Sequence, residues 1–242
     1  MTRHAVVTGG TGAIGTEICR QLAQAGHRVT AIGHPAEAQR LPAWRESLQR
    51  DGFGIGAELC DLSDWDACVA LAPRLGEVDI LVNAAGITRD ARLVKMTPEQ
   101  WRAVMAANLD SVFNLTRQLI EGMCARGHGR IVNISSVNGQ KGQAGQTNYS
   151  ASKAGLHGFT LALAREVAGK GVTVNTVSPG YIDTPMIRQV REEIRVQILK
   201  EIPVGRFGTP ADIARAVLFL VDDAAGFITG ADLSVNGGQY MA

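Results

Sequence analysis

Residues His4 to Ala23 read HAVVTGGTGAIGTEICRQLA, and this stretch decides the fold. His4 to Thr8 is a short apolar run suited to a buried strand, while Glu17, Ile18, Leu22 and Ala23 follow on an amphipathic, helix-period run. Between them lies a loop with glycine at positions 9, 10, 12 and 15. Glycine allows a tight turn and close backbone approach, and the helix behind offers unpaired N–H groups and a partial positive charge. Strand, glycine loop and helix in that order form a grip for a dinucleotide pyrophosphate. Two registers fit. Gly10, Gly12 and Gly15 match G-x-G-x-x-G, whereas Gly9 and Gly15 match the ends of T-G-x-x-x-G-x-G with Ala13 replacing its middle glycine.

Outward from this unit the pattern repeats. Strands are expected at His27 to Gly33, Ile55 to Leu59, Asp79 to Asn83, Arg130 to Ile134, Thr173 to Val177 and Asp232 to Val235, with long helices over Pro98 to Cys124 and Tyr149 to Ala168. Such alternation predicts an α/β protein whose parallel sheet is covered by helices on both faces. At 242 residues with no linker, the chain is expected to form a single domain.

A second stretch carries chemistry. Ser136 to Lys153 reads SVNGQKGQAGQTNYSASK, and the four-residue step from Tyr149 to Lys153 puts both side chains on one helix face. A fixed ammonium favours the phenolate, so the tyrosine is expected to fall from ~10 toward neutrality; three units correspond to roughly 4 kcal/mol. Ser135 and Ser136 stand just past the strand Arg130 to Ile134, at the edge where parallel sheets build their sites. Alone, Y-x-x-x-K is equally a surface helix pair.

Lysine and arginine total 24 against 23 acidic residues, which leaves no global field for nucleic acid or an anionic membrane. No apolar run reaches membrane-spanning length, and Met1-Thr2-Arg3-His4 leads straight into a strand, so a cytoplasmic protein is expected. Cys19, Cys60, Cys68 and Cys124 are scattered, with no C-x-x-C pair or histidine at ligand spacing. They read as small buried residues, and no metal is expected.

Taken in order, these motifs resemble the short-chain dehydrogenase/reductase family over essentially the whole chain. The resemblance is carried by Thr8 to Gly15, Asp61, Asn83-Ala84-Ala85-Gly86, Asn108, Ser136, Tyr149, Lys153 and Pro179-Gly180. Ala84 departs from the family's usual second asparagine. The resemblance implies a doubly wound Rossmann sheet and catalytic roles for Asn108, Ser136, Tyr149 and Lys153. It implies cofactor contacts from Gly9, Gly12, Ala13, Ile14, Gly15, Asp61, Leu62, Asn83, Ala84, Ala85, Gly86, Tyr149, Lys153, Pro179, Gly180 and Ile182. In that scheme Lys153 grips the nicotinamide ribose, Asn108 holds a water linking Lys153 to solvent, and Asp61 accepts from the adenine amino group. The run D-L-S-D suits a helix cap equally well.

Cofactor choice turns on the end of the second strand, AIGHPAEAQR from Ala31 to Arg40. No acid stands at Gly33 or His34, and Arg40 could reach a 2′-phosphate, which favours NADPH. Glu37 could instead bind a ribose diol and repel that phosphate, which keeps NADH open.

The segment from Asn133 to Ser150, with Gly155 to Thr160 and Lys170 to Ile182 beyond it, resembles acetoacetyl-CoA reductases of polyhydroxybutyrate synthesis. This implies reduction of a short 3-oxoacyl-CoA to the (3R)-3-hydroxyacyl-CoA. Gln143 and Gln146 would hydrogen-bond a short acyl group, unless that loop is merely solvated. By the same resemblance Asp90, Ser136, Tyr149, Gly180, Tyr181 and Arg191 line the substrate path, Tyr181 at the acyl end and Arg191 near the CoA phosphates. A helical lid is expected near residues 182–206, with its helical run from Ile182 to Glu201. The rival is a 3-oxoacyl-carrier-protein reductase, which needs a basic docking face. Gly127 stands where such enzymes often carry arginine, although Arg126, Arg130 and Lys170 keep charge nearby. A free-acid 3-hydroxybutyrate dehydrogenase and a nucleotide-binding regulator are further readings. The family implies a homotetramer, joined through its long central helices and carboxyl-terminal strand.

Overall fold

A computed structural model describes residues 2–241, apart from the side chain of Met186. The first half alternates strictly: β1 (His4–Thr8), α1 (Ala13–Gln24), β2 (Arg28–Gly33), α2 (Leu41–Arg50), β3 (Gly56–Leu59), α3 (Trp65–Leu75) and β4 (Ile80–Asn83). Then come α4 (Pro98–Met105), α5 (Ser111–Ala125), β5 (Gly129–Ile134), α6 (Val137–Lys141), α7 (Thr147–Val167) and β6 (Val172–Pro179). The chain closes with α8 (Pro185–Arg188), α9 (Glu192–Lys200), α10 (Pro210–Val221) and β7 (Asp232–Val235). All seven strands run parallel in the order β3-β2-β1-β4-β5-β6-β7. The order reverses between β1 and β4, and a crevice at such a switch point is where open α/β sheets take ligands.

Period-two alternation sorts the apolar side chains into two layers. Ala5 and Val7 of β1, with Ile80 and Val82 of β4, pack against Ile18 and Leu22 of α1, Leu48 of α2 and Val217 of α10. Val6, Leu81 and Ile131 turn the other way, onto Leu71 of α3, Leu115 and Met123 of α5, and Val167 of α7. Cys19 lies in the first layer and Cys60 and Cys68 in the second, all three as buried free thiols. Fully burying one such leucine or isoleucine contributes roughly 1.5–3 kcal/mol.

The long helix expected over Pro98 to Cys124 is present and runs to Ala125, with one π turn inside it. A capping box between Thr97 and Gln100 starts α4, but residues Ala106 to Asp110 form a π turn before α5 resumes. The cause is Asn108, fully buried, whose side chain engages the backbone of Ile87 and pulls the turn inward. The expected helical run at Ile182 to Glu201 is two pieces, α8 and α9.

Candidate active site

At the amino end of α1 the N-cap is Gly12, which has no side chain to cap with, and no acid lies in the first turn. Those helix N–H groups are left facing the crevice. Gly9 has φ of +61°, and a Cβ there would sit 2.9 Å from Ala85 Cα; a Cβ on Gly15 would sit 2.1 Å from the Gly9 carbonyl oxygen. Gly12 leaves 3.3 Å. A Cβ on Gly10 would sit 2.6 Å from Ala31 Cβ, so the packing demands glycine at positions 9, 10 and 15 and least at position 12, and both registers remain. Ala13 and Ile14 simply begin the helix. Thr8 Oγ1 accepts from the N–H groups of Ala84 and Ala85 at 3.0 and 3.1 Å, tying the loop after β4 to β1. Because that tie is through the backbone, alanine at position 84 leaves it intact. Asn83 lies beneath the loop, its amide nitrogen donating to Asn133 at 2.9 Å and its oxygen unpartnered among the described residues, while Asn133 donates to Thr160.

At the end of β2 the side chains are already engaged. Glu37 accepts from the hydroxyl of Thr11 with one carboxylate oxygen, and Arg40 Nη2 lies 3.2 Å from the other. The first of these oxygens lies 3.1 Å from where a Gly33 Cβ would be. Asp61 does not cap α3; Asp64 does, accepting from Ala67. Asp61 folds into a local turn with Ser63, and that hydrogen bond holds its carboxyl below the ordinary range. Its second oxygen lies 3.7 Å from His34 Nε2, and Leu62 beside it is buried.

Ser136 caps α6, its Oγ accepting from Asn138 N–H at 3.1 Å, which leaves its own proton free to donate. Tyr149 and Lys153 rise from α7 as the spacing predicts, with Lys153 Nζ 5.8 Å from the Tyr149 ring centroid. The expected downward pull on the phenol is not found. Burial pushes Tyr149 above its ordinary value, the neighbouring Ser136 hydroxyl works against that, and the Asp90 carboxylate adds to the rise. Lys153 is the group brought near neutrality: burial lowers its ammonium to about 8. Its Nζ donates to the Ile134 carbonyl at 2.8 Å, a bond that favours the charged form and that burial outweighs.

Asn108 is fully buried between the loop after Gly86 and α7. Its amide nitrogen donates to the Ile87 carbonyl at 3.0 Å and to Ser152 Oγ at 3.1 Å, and its oxygen accepts from Ile87 N–H at 2.7 Å. Both amide protons are used, so the side chain clamps the loop after Gly86 to α7. Ser152, one helical turn beyond Tyr149, was passed over in the sequence reading for want of any motif.

On the substrate side, Gln146 donates to Asp90 at 2.8 Å and accepts from Asn138 at 2.9 Å. Gln143 and Arg191 are exposed. Pro179 ends β6, Gly180 is pinned where a Cβ would sit 2.8 Å from Asn236 Cα, and Ile182 is buried. Tyr181 borders a cavity of about 700 Å³ shared with Gln140, Ile202, Val204 and Tyr240, but Ser136, Tyr149 and Lys153 do not line it.

Set beside known proteins, the chain finds full-length relatives. The profile of a family described as Enoyl-(Acyl carrier protein) reductase matches residues 10–239. An acetoacetyl-CoA reductase of Allochromatium vinosum is 51% identical, covering all of both chains, and one of Cupriavidus necator is 54% identical over 99% of this chain and 98% of its own. A 3-oxoacyl-(acyl-carrier-protein) reductase FabG of Escherichia coli is 44% identical over 98% of this chain and 97% of its own. With the uncapped glycine loop at the switch point and serine, tyrosine and lysine gathered beside it, the chain belongs to the short-chain dehydrogenase/reductase family.

Proposed function

We propose that this chain is a nicotinamide-dependent reductase converting acetoacetyl-CoA, a short 3-oxoacyl-CoA, to the (3R)-3-hydroxyacyl-CoA for polyhydroxybutyrate synthesis. The observation that carries the reading is the gathering of Ser136, Tyr149 and buried Lys153 at the sheet edge that also holds the free end of α1. The bound dinucleotide supplies the hydride. The glycine cradle, closed to any side chain at Gly9 and Gly15, suits its pyrophosphate, and Asp61, Leu62 and the loop from Asn83 to Gly86 suit its adenosine half. Tyr149 holds the proton that passes to the developing alkoxide, and Ser136 donates to the same oxygen. A phenol kept above its ordinary value by burial stays protonated until that oxygen gains charge. Lys153, lowered to about 8, holds or releases a proton at working pH behind it. Asn108 keeps the loop at Gly86 in register with α7. Gln146, Asp90 and Tyr181 bound the acyl end, and α8 and α9 form the lid.

The expectation of NADPH rested on Arg40, which is drawn to Glu37 and otherwise exposed. Glu37, held by Thr11 at the end of β2, supports NADH instead: it is set to accept from a ribose diol and to repel a 2′-phosphate. Comparing kcat/KM with each cofactor tests this. NADH should be preferred, and Glu37→Gln should move the ratio toward NADPH about tenfold, or ~1.4 kcal/mol.

Between CoA and a carrier protein, the arginines favour CoA. Arg130 is buried among the carbonyls of Gly129 and Gly171, and Arg126 donates to the Val78 carbonyl, so neither faces an acidic partner. Rates with acetoacetyl-CoA, a carrier-bound analogue and free acetoacetate decide the substrate; failure of the first alone sinks the reading. Exposed Trp65 and Phe113, stacked at 5.7 Å beside α5, and exposed Leu161 on α7 support assembly as a homotetramer through these helices.

A further inference from the structure

Behind the serine pair lies an arrangement that the proposed chemistry leaves unused. Ser135 Oγ lies 2.7 Å from His157 Nε2, and His157 Nδ1 lies 3.3 Å from Asp232 Oδ2. Serine, histidine and aspartate so spaced have the form of a hydrolase relay. Ser135 is only 3% exposed, however, and its Oγ lies 2.9 Å from the main-chain carbonyl of Lys153, so no ester can reach it. A nucleophile is excluded.

The protons say what the group does instead. A carbonyl has none to give, so Ser135 O–H donates to the Lys153 carbonyl oxygen. The 2.7 Å contact on its other side then places an N–H at His157 Nε2, while the Asp232 carboxylate lies 3.3 Å from Nδ1. The ring is held between a hydroxyl and a carboxylate. That carboxylate is a hub. Asp232 Oδ1 also accepts from Ser178 at 2.6 Å, and Oδ2 from Gln140 at 2.7 Å. Gln140 lies on α6, which Ser136 caps; His157 lies on α7, which carries Tyr149 and Lys153; and Ser178 lies on β6, which ends beside Gly180. One side chain on the last strand thus gathers the three elements that present the candidate site.

We propose that Asp232, His157 and Ser135 form a positioning relay that fixes Ser136 and the Tyr149–Lys153 turn of α7 relative to one another. The proposal rests on the reductase reading above. It is tested on the full chain by kinetics of acetoacetyl-CoA reduction, cofactor titration and ¹⁵N NMR of the histidine side chains. Asp232→Asn and Ser135→Ala should each lower kcat about tenfold to a hundredfold, the scale of small misplacements at a reacting centre. KM for acetoacetyl-CoA and the cofactor Kd should change less than twofold, and Asp232→Glu should recover most of the loss. The Nε2 of His157 should be protonated in the native chain. A kcat within twofold of the native value in both variants, or a bare Nε2 on native His157, overturns the relay. Should Asp232→Asn fail to fold, the native spectrum and the Ser135→Ala kinetics still decide. A native chain that ignores acetoacetyl-CoA refutes the reductase reading, while the spectrum judges the Nε2 proton independently.

Discussion

The two edges of the sheet hold similar side chains and use them differently. At the amino edge, His4, Asp79, Arg126, His128, Arg130 and Asp223 crowd together, and at the carboxyl edge stand Ser136, Tyr149, Lys153 and Asp90. Burial is the largest influence on His4, His128 and Arg130 at one edge and on Tyr149 and Lys153 at the other. A perturbed group alone therefore does not mark a site here. What separates the edges is where the hydrogen bonds go. Arg126 and Arg130 are tied into main-chain carbonyls, and His4 Nδ1 lies 2.9 Å from another at Glu77. Opposite, the Ser136 proton and the first N–H groups of α1 are left facing the crevice.

If unspent hydrogen bonds define the working edge, removing one of them should abolish turnover without disturbing the fold. Tyr149→Phe deletes a single oxygen. We expect kcat to fall by about 10²–10⁴, the usual contribution of a general acid, with cofactor Kd within twofold of native. Steady-state kinetics and fluorescence titration check both halves, and an active phenylalanine variant would refute the role assigned to Tyr149.

Lys153 sharpens the contrast, because its burial works against the fold. Its ammonium falls from 10.5 to about 8, so the native state binds fewer protons than the unfolded chain between those values. Stability is greatest above 10.5 and is lost as pH falls through about 8, so at pH 7 the whole penalty is present. Its scale is about 3 kcal/mol at 1.36 kcal/mol per unit. Lys153→Met should therefore be inactive yet more stable by about 1–3 kcal/mol in urea at pH 7, the hydrogen bond to Ile134 offsetting part of the gain. Loss of stability instead would mean that the bond to Ile134 outweighs desolvation. For the native enzyme, kcat/KM should decline as pH rises through about 8, when the ammonium is lost.

Much of this contrast was written in the sequence. Seven strands and the glycine loop announce themselves because apolar runs of period two and glycine punctuation are local signals, and every expected strand is present. The serine, tyrosine and lysine were legible for the same reason, being four residues apart on one helix or just past a strand. What escaped depended on contacts distant in sequence. Nothing near Asn108 announces a π turn, since its partner is Ile87 on another loop. The direction of the Tyr149 shift was misjudged because spacing places the lysine on the right face but says nothing of Ile134, which takes its ammonium. Glu37 and Arg40 could be seen as rivals, but not that they are partners.

The amino edge makes the opposite prediction from the carboxyl edge: titrating it should change stability and leave chemistry alone. His4, His27 and His128 all lie below the ordinary 6.5, each chiefly through burial. A lowered histidine is neutral in the native state while the unfolded chain takes up the proton, so the unfolded state gains protons as pH falls. Stability from these groups is complete above 6.5 and is lost below it, toward the lowered native values. Between pH 7 and 5 we expect Tm to fall, by roughly 2–4 °C for each kcal/mol lost in a chain of this size. His4→Gln should flatten that slope, because it removes the buried ring that stands among Glu77, Thr30 and Arg28, while kcat at pH 7 matches native. An unaltered slope would shift the acid sensitivity to His27 and His128, and a changed kcat would show that the two edges communicate through the sheet.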